Sequence, residues 1–282
     1  MAGILHDNSI HAGLVTDSAQ RYVYEAFKGH FIKRASAADD GEPTGTAGNV
    51  NILLGDRNCF EYHIIGTQTI LGPIRVDAGL NISQDLTNND GVEYTLGNEM
   101  PADTCISDTA GATRGTFKVG TDAPFFVAAK LKITDVSGAD ALFLGFRKAE
   151  VYQAAEDDYD EMAAIGNVSG DIKTATILNN GTTTTTDTTD NWADAAEKKL
   201  MVICDSDGSL SKDGTKGKVY FCVDGLEPTT VASTRFKFDN GELVIPFLYL
   251  RHDADVAETT VLEEWESGLL VDASAAYELG AA

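Results

Sequence analysis

The chain is poor in positive charge. Lysine and arginine number 21 among 282 residues against 44 aspartates and glutamates, a formal net charge of −23. A surface of that sign repels phosphate backbones and anionic headgroups, which sets nucleic-acid and membrane-surface binding at a disadvantage. It also favours solubility at high local concentration. Cysteine is scarce as well: Cys59, Cys105, Cys204 and Cys222 are scattered, with no CxxC pair. Pairing the strands around the loop at 206–217 sets Cys204 opposite about residue 219, out of register with Cys222. Reduced, buried thiols are therefore expected rather than a disulfide or a zinc site. No apolar run approaches the roughly 20 residues of a membrane span. The opening MAGILHDNSIHAGLV has no basic leader and is interrupted at His6, Asp7, Asn8, Ser9 and His11. Synthesis and folding in a cytoplasm is the expectation that follows.

Catalytic signatures are missing too. The five histidines (His6, His11, His30, His63, His252) form no HxH or HExxH arrangement. GxSxG, a GxxxxGKS phosphate loop and a GxGxxG after a strand are all absent. The expectation is a protein that is not an enzyme.

What the sequence does have is strand-length alternation. In Phe125–Thr134, Phe125, Val127, Ala129, Leu131 and Ile133 face one way and Lys130, Lys132 and Thr134 the other, a strand with one wet face. Leu142, Leu144 and Phe146 alternate against Phe143, Gly145 and Arg147 after the turn DVSGAD. Leu200–Asp205 and Lys218–Asp224 form a second pair across SDGSLSKDGTKG, and Val244–Arg251 and Thr259–Trp265 a third across HDADVAE. Pro246 argues for an edge or a bulge in its strand. Weaker strands are expected at Phe60–Ile65, Thr69–Val76, Val92–Leu96, Thr116–Val119 and Ile172–Leu178. Helical signals are confined to Asp158–Ile165 and Thr189–Glu197, and the threonines at 182–186 read as an exposed, β-prone loop. The pattern predicts an all-β fold, a two-sheet antiparallel β-sandwich or jelly roll over residues 51–270, with a tail at 271–282. Residues 1–50 read as an extended N-terminal arm and linker with little core of its own. Deleting 1–50 is then expected to leave the sandwich folded.

Two near-motifs carry candidate chemistry. Glu156, Asp158 and Glu161 have the E-x-D-x-x-E spacing that sets carboxylates on one face in β-sandwich glucanases. That motif needs apolar residues between them, and Asp157 breaks it, so a solvated acidic loop is the preferred reading. Asp205, Asp207, Gly208, Asp213 and Gly214 suggest an oxygen-rich calcium loop. Leu210 stands where that loop needs glycine and Lys216 where it needs a bidentate glutamate, so a hairpin turn is preferred. No cofactor is expected, with calcium at acidic loops such as Asp253 and Asp255 kept as a candidate. Tyr152, Tyr159 and Trp192 are the candidate glycan-contact residues, a platform of aromatics beside polar groups. Against it stands the reading in which Trp192 anchors on the sandwich and Trp265 fills the core.

Phe125–Lys148 and Lys199–Gly225 resemble the strand pairs of concanavalin-A-like (laminin-G/lectin-type) jelly rolls. Three further segments, FRKAEVYQAAEDDYDEMAAIG, ILNNGTTTTTDTTDNWAD and DNGELVIPFLYLRHDADVAETTVLEEWE, look like structural proteins of tailed bacteriophages. The resemblance covers roughly residues 75–266. It implies a virion structural protein, a capsid decoration (cement) protein bound to the outer surface of a phage head. Its partners would be the major capsid protein and its own copies as a homotrimer, with no nucleic acid and no membrane. Its location would be the virion surface after synthesis in the host cytoplasm. Arg21, Tyr22, Tyr24, Phe27 and Phe31 in the arm are the candidate capsid- or subunit-docking residues. The alternative implied is a glycan-binding head-fibre or tail module for host attachment.

Overall fold

The computed structural model describes residues 23–27, 50–54, 58–65, 74–76, 78–82, 90–96, 116–153, 155–252 and 259–270. The first strands are β1 (Val23–Ala26), β2 (Val50–Leu54), β3 (Asn58–Ile65), β4 (Ile74–Val76), β5 (Gly79–Asn81), β6 (Gly91–Thr95) and β7 (Phe117–Lys118). They are followed by β8 (Phe125–Ile133), β9 (Ala139–Lys148), β10 (Met162–Val168), β11 (Asp171–Ile177) and β12 (Thr184–Asn191). The last are β13 (Glu197–Asp205), β14 (Lys218–Val223), β15 (Leu243–His252) and β16 (Thr260–Leu269). A seven-stranded sheet runs β14-β13-β8-β16-β5-β4, with β1 also on β16. A nine-stranded sheet runs β12-β11-β10-β9-β15-β6-β3-β2, with β7 also on β15. Every pairing is antiparallel. The sheets pack face to face, β8 and β13 against β9 and β10, as the two-sheet jelly-roll sandwich that the alternation predicts.

Period-2 patterning explains the core between the sheets. Phe125, Val127, Ala129, Leu131 and Ile133 of β8 point inward together with Leu142, Leu144 and Phe146 of β9. Phe117, Phe125 and Phe146 stack and cross edge to face at centroid distances of 4.5, 5.9 and 4.9 Å. Both sheets also bury part of their outer faces. Phe143, Met162, Ala164, Phe247 and Tyr249 form a second apolar cluster on the nine-stranded sheet, and Phe126, Ala128, Ile203, Tyr220 and Cys222 a third on the seven-stranded one. That double cover is why VIPFLYL in β15 reads as a continuous apolar run instead of alternating.

Pro246 lies in the middle of β15, a central strand, and not at a sheet edge. Beyond it, the flank of β15 changes partner, from β7 at Leu243 and Val244 to β6 from Phe247 onward. The Pro246 carbonyl accepts the Leu96 N–H on that flank. A residue's N and C=O point to the same side of a strand, so the missing N–H falls in the gap between β7 and β6 and costs no ladder bond. Strand β16 is built the same way, flanked by β5 at Val261–Leu262 and by β1 at Glu264–Ser267. At its changeover a bulge leaves Glu263 unpaired with β8. The Glu263 carbonyl accepts the Phe27 N–H at 2.8 Å. Its carboxylate, 1% exposed, meets Lys130 Nζ at 2.8 Å, and Lys130 also reaches Glu197 at 2.6 Å. Hydrogen bonds to these two carboxylates hold the Lys130 ammonium above the usual lysine range.

Several expectations are corrected. Residues 158–165 and 189–197 are not helical: a single 3₁₀ turn, Glu156–Asp158, precedes β10, and Thr189–Asn191 end β12. The helix formers Met162, Ala163 and Ala164 are overruled by pairing on both sides, to β9 and β11. The threonine run is not a loop, because Thr184–Thr186 begin the edge strand β12. Nor is 1–50 wholly an arm outside the sandwich. Within it, Val23–Ala26 pair with β16, and Val23 and Phe27, each 2% exposed, belong to the main core. Removing 1–50 therefore removes core, against the expectation of an intact sandwich. The cysteine reading holds for the pair it addressed. Cys204 lies opposite Val219 and Cys222 opposite Met201, and both thiols are free and buried. They also fall in clusters on opposite faces of the sheet. Burial pushes both thiols up, Cys222 to about 12. Among the described residues no helix is long and apolar enough to cross a membrane.

Candidate functional site

The candidate glycan aromatics do not share a surface. Trp192 is 2% exposed inside the main core, its Nε1–H donating to the Ala196 carbonyl. Tyr159 is fully buried on the outer face of the nine-stranded sheet. Tyr152 is half-buried on that same face, its ring stacked on His63 at 4.7 Å. Two of the three rings are thus closed to a ligand, and Trp265 fills the core. Of the candidate docking residues, Phe27 is core and Tyr24 lies half-buried on β1 beside Glu264 and Glu266, where burial and those carboxylates raise its phenol. Arg21, Tyr22 and Phe31 lie outside the described residues.

The acidic near-motifs resolve into structural roles. Asp205 is buried, and its two oxygens accept the Leu210 and Ser211 N–H groups at 3.1 and 2.8 Å. Asp207 accepts Ser209 N–H; Asp213 accepts Thr215 N–H and pairs with Lys218 Nζ at 2.6 Å. Asp205 pins the hairpin loop from inside, and Asp207 and Asp213 hold its turns from the surface. Among the described residues no group of three or more His, Cys, Asp or Glu side chains is placed to hold a metal ion. Asp253 and Asp255 lie outside the described residues.

Glu156 and Asp158 sit in the 3₁₀ turn and Glu161 lies just before β10, so the three carboxylates do not share a strand face. Glu161 is 1% exposed, with Oε2 buried and without a hydrogen-bond partner. Burial, then the Glu242 carboxylate, raise its carboxyl to about 7, opposed by the Asp239 N–H and Lys148. A raised folded value means the native state holds the proton more tightly than the unfolded chain. Stability from this group is full below about pH 4.5 and is lost as pH rises through about 7. Urea titrations at pH 5 and pH 8 should show wild type losing about 1–3 kcal/mol relative to Glu161→Gln. Equal pH slopes for the two proteins would contradict this account.

A buried polar cluster lies on the same outer face. Arg147 and Glu93 are fully buried and joined by Nε to Oε1 at 2.8 Å. Arg147 Nη1 donates to the Lys148 and Glu150 carbonyls, and its guanidinium stands 4.4 Å above the Tyr159 ring. The Tyr159 hydroxyl donates to Glu93 Oε2 at 2.5 Å and accepts Gln153 N–H. Burial, and secondarily Arg147, lower His63 to about 4, which leaves it neutral at physiological pH. This network ties the 149–161 loop to the sheet.

An open site occurs where the sandwich edges part. Strands β11 and β12 pair Thr176 with Thr184 and Thr174 with Thr186, so these four side chains share one face. That face continues from Ile172, which lies in the core between the sheets. Opposite stand Val219 and Phe221 of β14, and residues 231–237 close one side with Val231 and Phe236. The cleft measures about 760 Å³, within the range of small-molecule sites. One wall carries hydroxyls and the other apolar rings, and Lys218, Arg235 and Lys237 stand among the lining. Arg235 is ion-paired with Glu227 and lies 4.6 Å over the Tyr220 ring. The sequence pattern did not single this cleft out. Its one signal was the alternation Thr184, Thr186, Thr188 within a threonine run, which composition alone reads as featureless.

The sequence matches no protein-family model and no curated protein. Solved structures with a similar chain path include peanut lectin, 10% identical, TM-score 0.45, covering 89% of this chain and 99% of that one. The Emp47p carbohydrate recognition domain is 11% identical, TM-score 0.45, covering 90% and 97%. A Trypanosoma rangeli sialidase is 9% identical, TM-score 0.42, covering 77% of this chain and 28% of that one. The sandwich assignment itself rests on the strand order and register, and none of these likenesses bears on a bacteriophage source.

Proposed function

We propose that the chain is a non-catalytic binding module that holds a glycan in the cleft between β11–β12 and β14. The supporting observation is the cleft's two-sided lining. Thr174, Thr176, Thr184 and Thr186 offer hydroxyls that both donate and accept hydrogen bonds, and Val219, Phe221, Val231 and Phe236 offer apolar surface. A sugar ring presents the matching pair, polar edges and apolar C–H faces. Phe221 and the threonine hydroxyls stand on strands of the two sheets, so that part of the lining needs little ordering on binding.

The reading moves the glycan site away from Tyr152, Tyr159 and Trp192, since two of those rings are buried. The virion setting, the major capsid protein and a homotrimer are proposals carried by the sequence resemblance alone. A glycan array probed with wild type and Thr186→Trp tests the cleft. Wild type should bind at least one glycan, and the tryptophan, projecting among the threonines, should weaken it tenfold or more while the melting temperature stays near wild type. An array blank for wild type, or binding unchanged in Thr186→Trp, counts against the cleft.

A further inference from the structure

We infer that residues 231–234 form a strap that closes on the bound glycan and hydrogen-bonds it through the main chain. The inference rests on the glycan reading above and adds the part of the cleft that adapts. Val231, Ala232, Ser233 and Thr234 all line the cleft, and the last three are exposed. Among the described residues none of the four takes part in a hydrogen bond, by main chain or side chain. Four N–H and four C=O groups in a row are therefore left to water or to a ligand. The facing threonines, in contrast, stand on the paired ladder of β11 and β12.

Both ends of the strap are tied, and to different sheets. On its N-terminal side the Asp190 carboxylate of β12 accepts the Thr229 N–H at 3.0 Å and the Thr229 hydroxyl at 2.6 Å. The Thr188 carbonyl, also of β12, accepts the Thr230 N–H at 2.9 Å. On its C-terminal side the Phe236 carbonyl accepts the Val219 N–H of β14, and the Phe238 N–H donates to the Gly217 carbonyl, each at 3.0 Å. Arg235 clasps the outer face of β14 over the Tyr220 ring, paired with Glu227, while Phe236 packs against the main core. The chain thus crosses from one edge of the nine-stranded sheet to one edge of the seven-stranded sheet, untied only in its middle. Fixed ends limit how far that middle travels, and nothing bonded within it opposes local motion. A sugar in the cleft offers hydroxyls that replace the water on these groups. The cost is the ordering of a short stretch already held at both ends.

Amide exchange measured by NMR on the free full-length chain should show Ala232, Ser233 and Thr234 exchanging at least a hundredfold faster than Thr230 and Phe238. A glycan array, its printed glycans serving as the probe, then compares dilution series of wild type and two variants that loosen the strap. Ala232→Gly combined with Ser233→Gly gives the middle more freedom to lose on binding. Asp190→Asn weakens the tie to β12. Each should lower the apparent affinity threefold or more, and the glycine pair should melt near wild type, since neither residue it replaces is bonded. Should Asp190→Asn fail to fold, the glycine pair decides alone. Strap amides as slow as those of Thr230 and Phe238 overturn the inference, because the wall is then rigid. Variants that bind as wild type does also overturn it and leave the glycan reading standing. A blank array for wild type removes the glycan reading and the role of the strap with it.

Discussion

Replacing Arg147 by methionine is expected to cost about 3–5 kcal/mol of stability, read from urea midpoints. The guanidinium is fully buried, and its removal leaves the Glu93 carboxylate buried without the charge that faces it. It also strips two acceptors, the Lys148 and Glu150 carbonyls, of their donor. Arg147→Lys should recover little, since a point ammonium cannot serve a carboxylate and two carbonyls in one plane. The informative variant is the pair Arg147→Met with Glu93→Gln. Without a bare charge, and with an oxygen still facing the Tyr159 hydroxyl, it should regain a large part of the loss. A single variant within 1 kcal/mol of wild type would show that the buried pair does not organise this face.

Phe27→Ala tests the membership of the N-terminal segment in the fold, with an expected loss of about 3–5 kcal/mol. The ring is 2% exposed in the main core, and its N–H is fixed on the Glu263 carbonyl. Truncation does not collapse a strand-bound site easily, so most of the lost contact stays lost. Tyr24→Ala, half-buried on the neighbouring β1, should cost far less. If Phe27→Ala unfolds at the wild-type urea concentration, the segment is dispensable and the arm reading regains its ground.

The parts of this fold legible in the sequence are those where one physical constraint acts alone. The second half of β8, Ala129–Ile133, alternates buried residues with Lys130 and Lys132, so period 2 is plain there. The register of Cys204 followed from loop length and held to the residue. Legibility fails where two constraints overlap. β15 is covered on both faces, which erases alternation, and Pro246 then misleads because a partner change is invisible from one strand. Residues 162–164 have helix-forming side chains held in a strand by neighbours on both sides. Glu93 and Arg147 stand 54 positions apart, each looking like an exposed charge until the sheet brings them together. The aromatic platform failed for a related reason: position in a loop-rich stretch does not fix exposure, and Tyr159 and Trp192 are drawn inward by area. The threonine cleft was missed because its information lies in which strand pairs with which.

The two ten-residue strands β15 and β16, each flanked on one side by two short strands laid end to end, constrain the order of assembly during synthesis. The short partners come from the first 118 residues, while the strands they need lie at 243–252 and 260–269. On the ribosome, β1 and β7 emerge long before any partner exists for them, and β5 and β6 can pair early only on their other sides, with β4 and β3, whereas β8–β14 pair among themselves as soon as they are made. The middle of the chain is thus the seed, and the pieces β2–β3–β6 and β4–β5, with β1 and β7, wait undocked until the last strands leave the exit tunnel. A chain released before residue 243 would expose those early strands together, and its hazard is aggregation rather than simple loss of function.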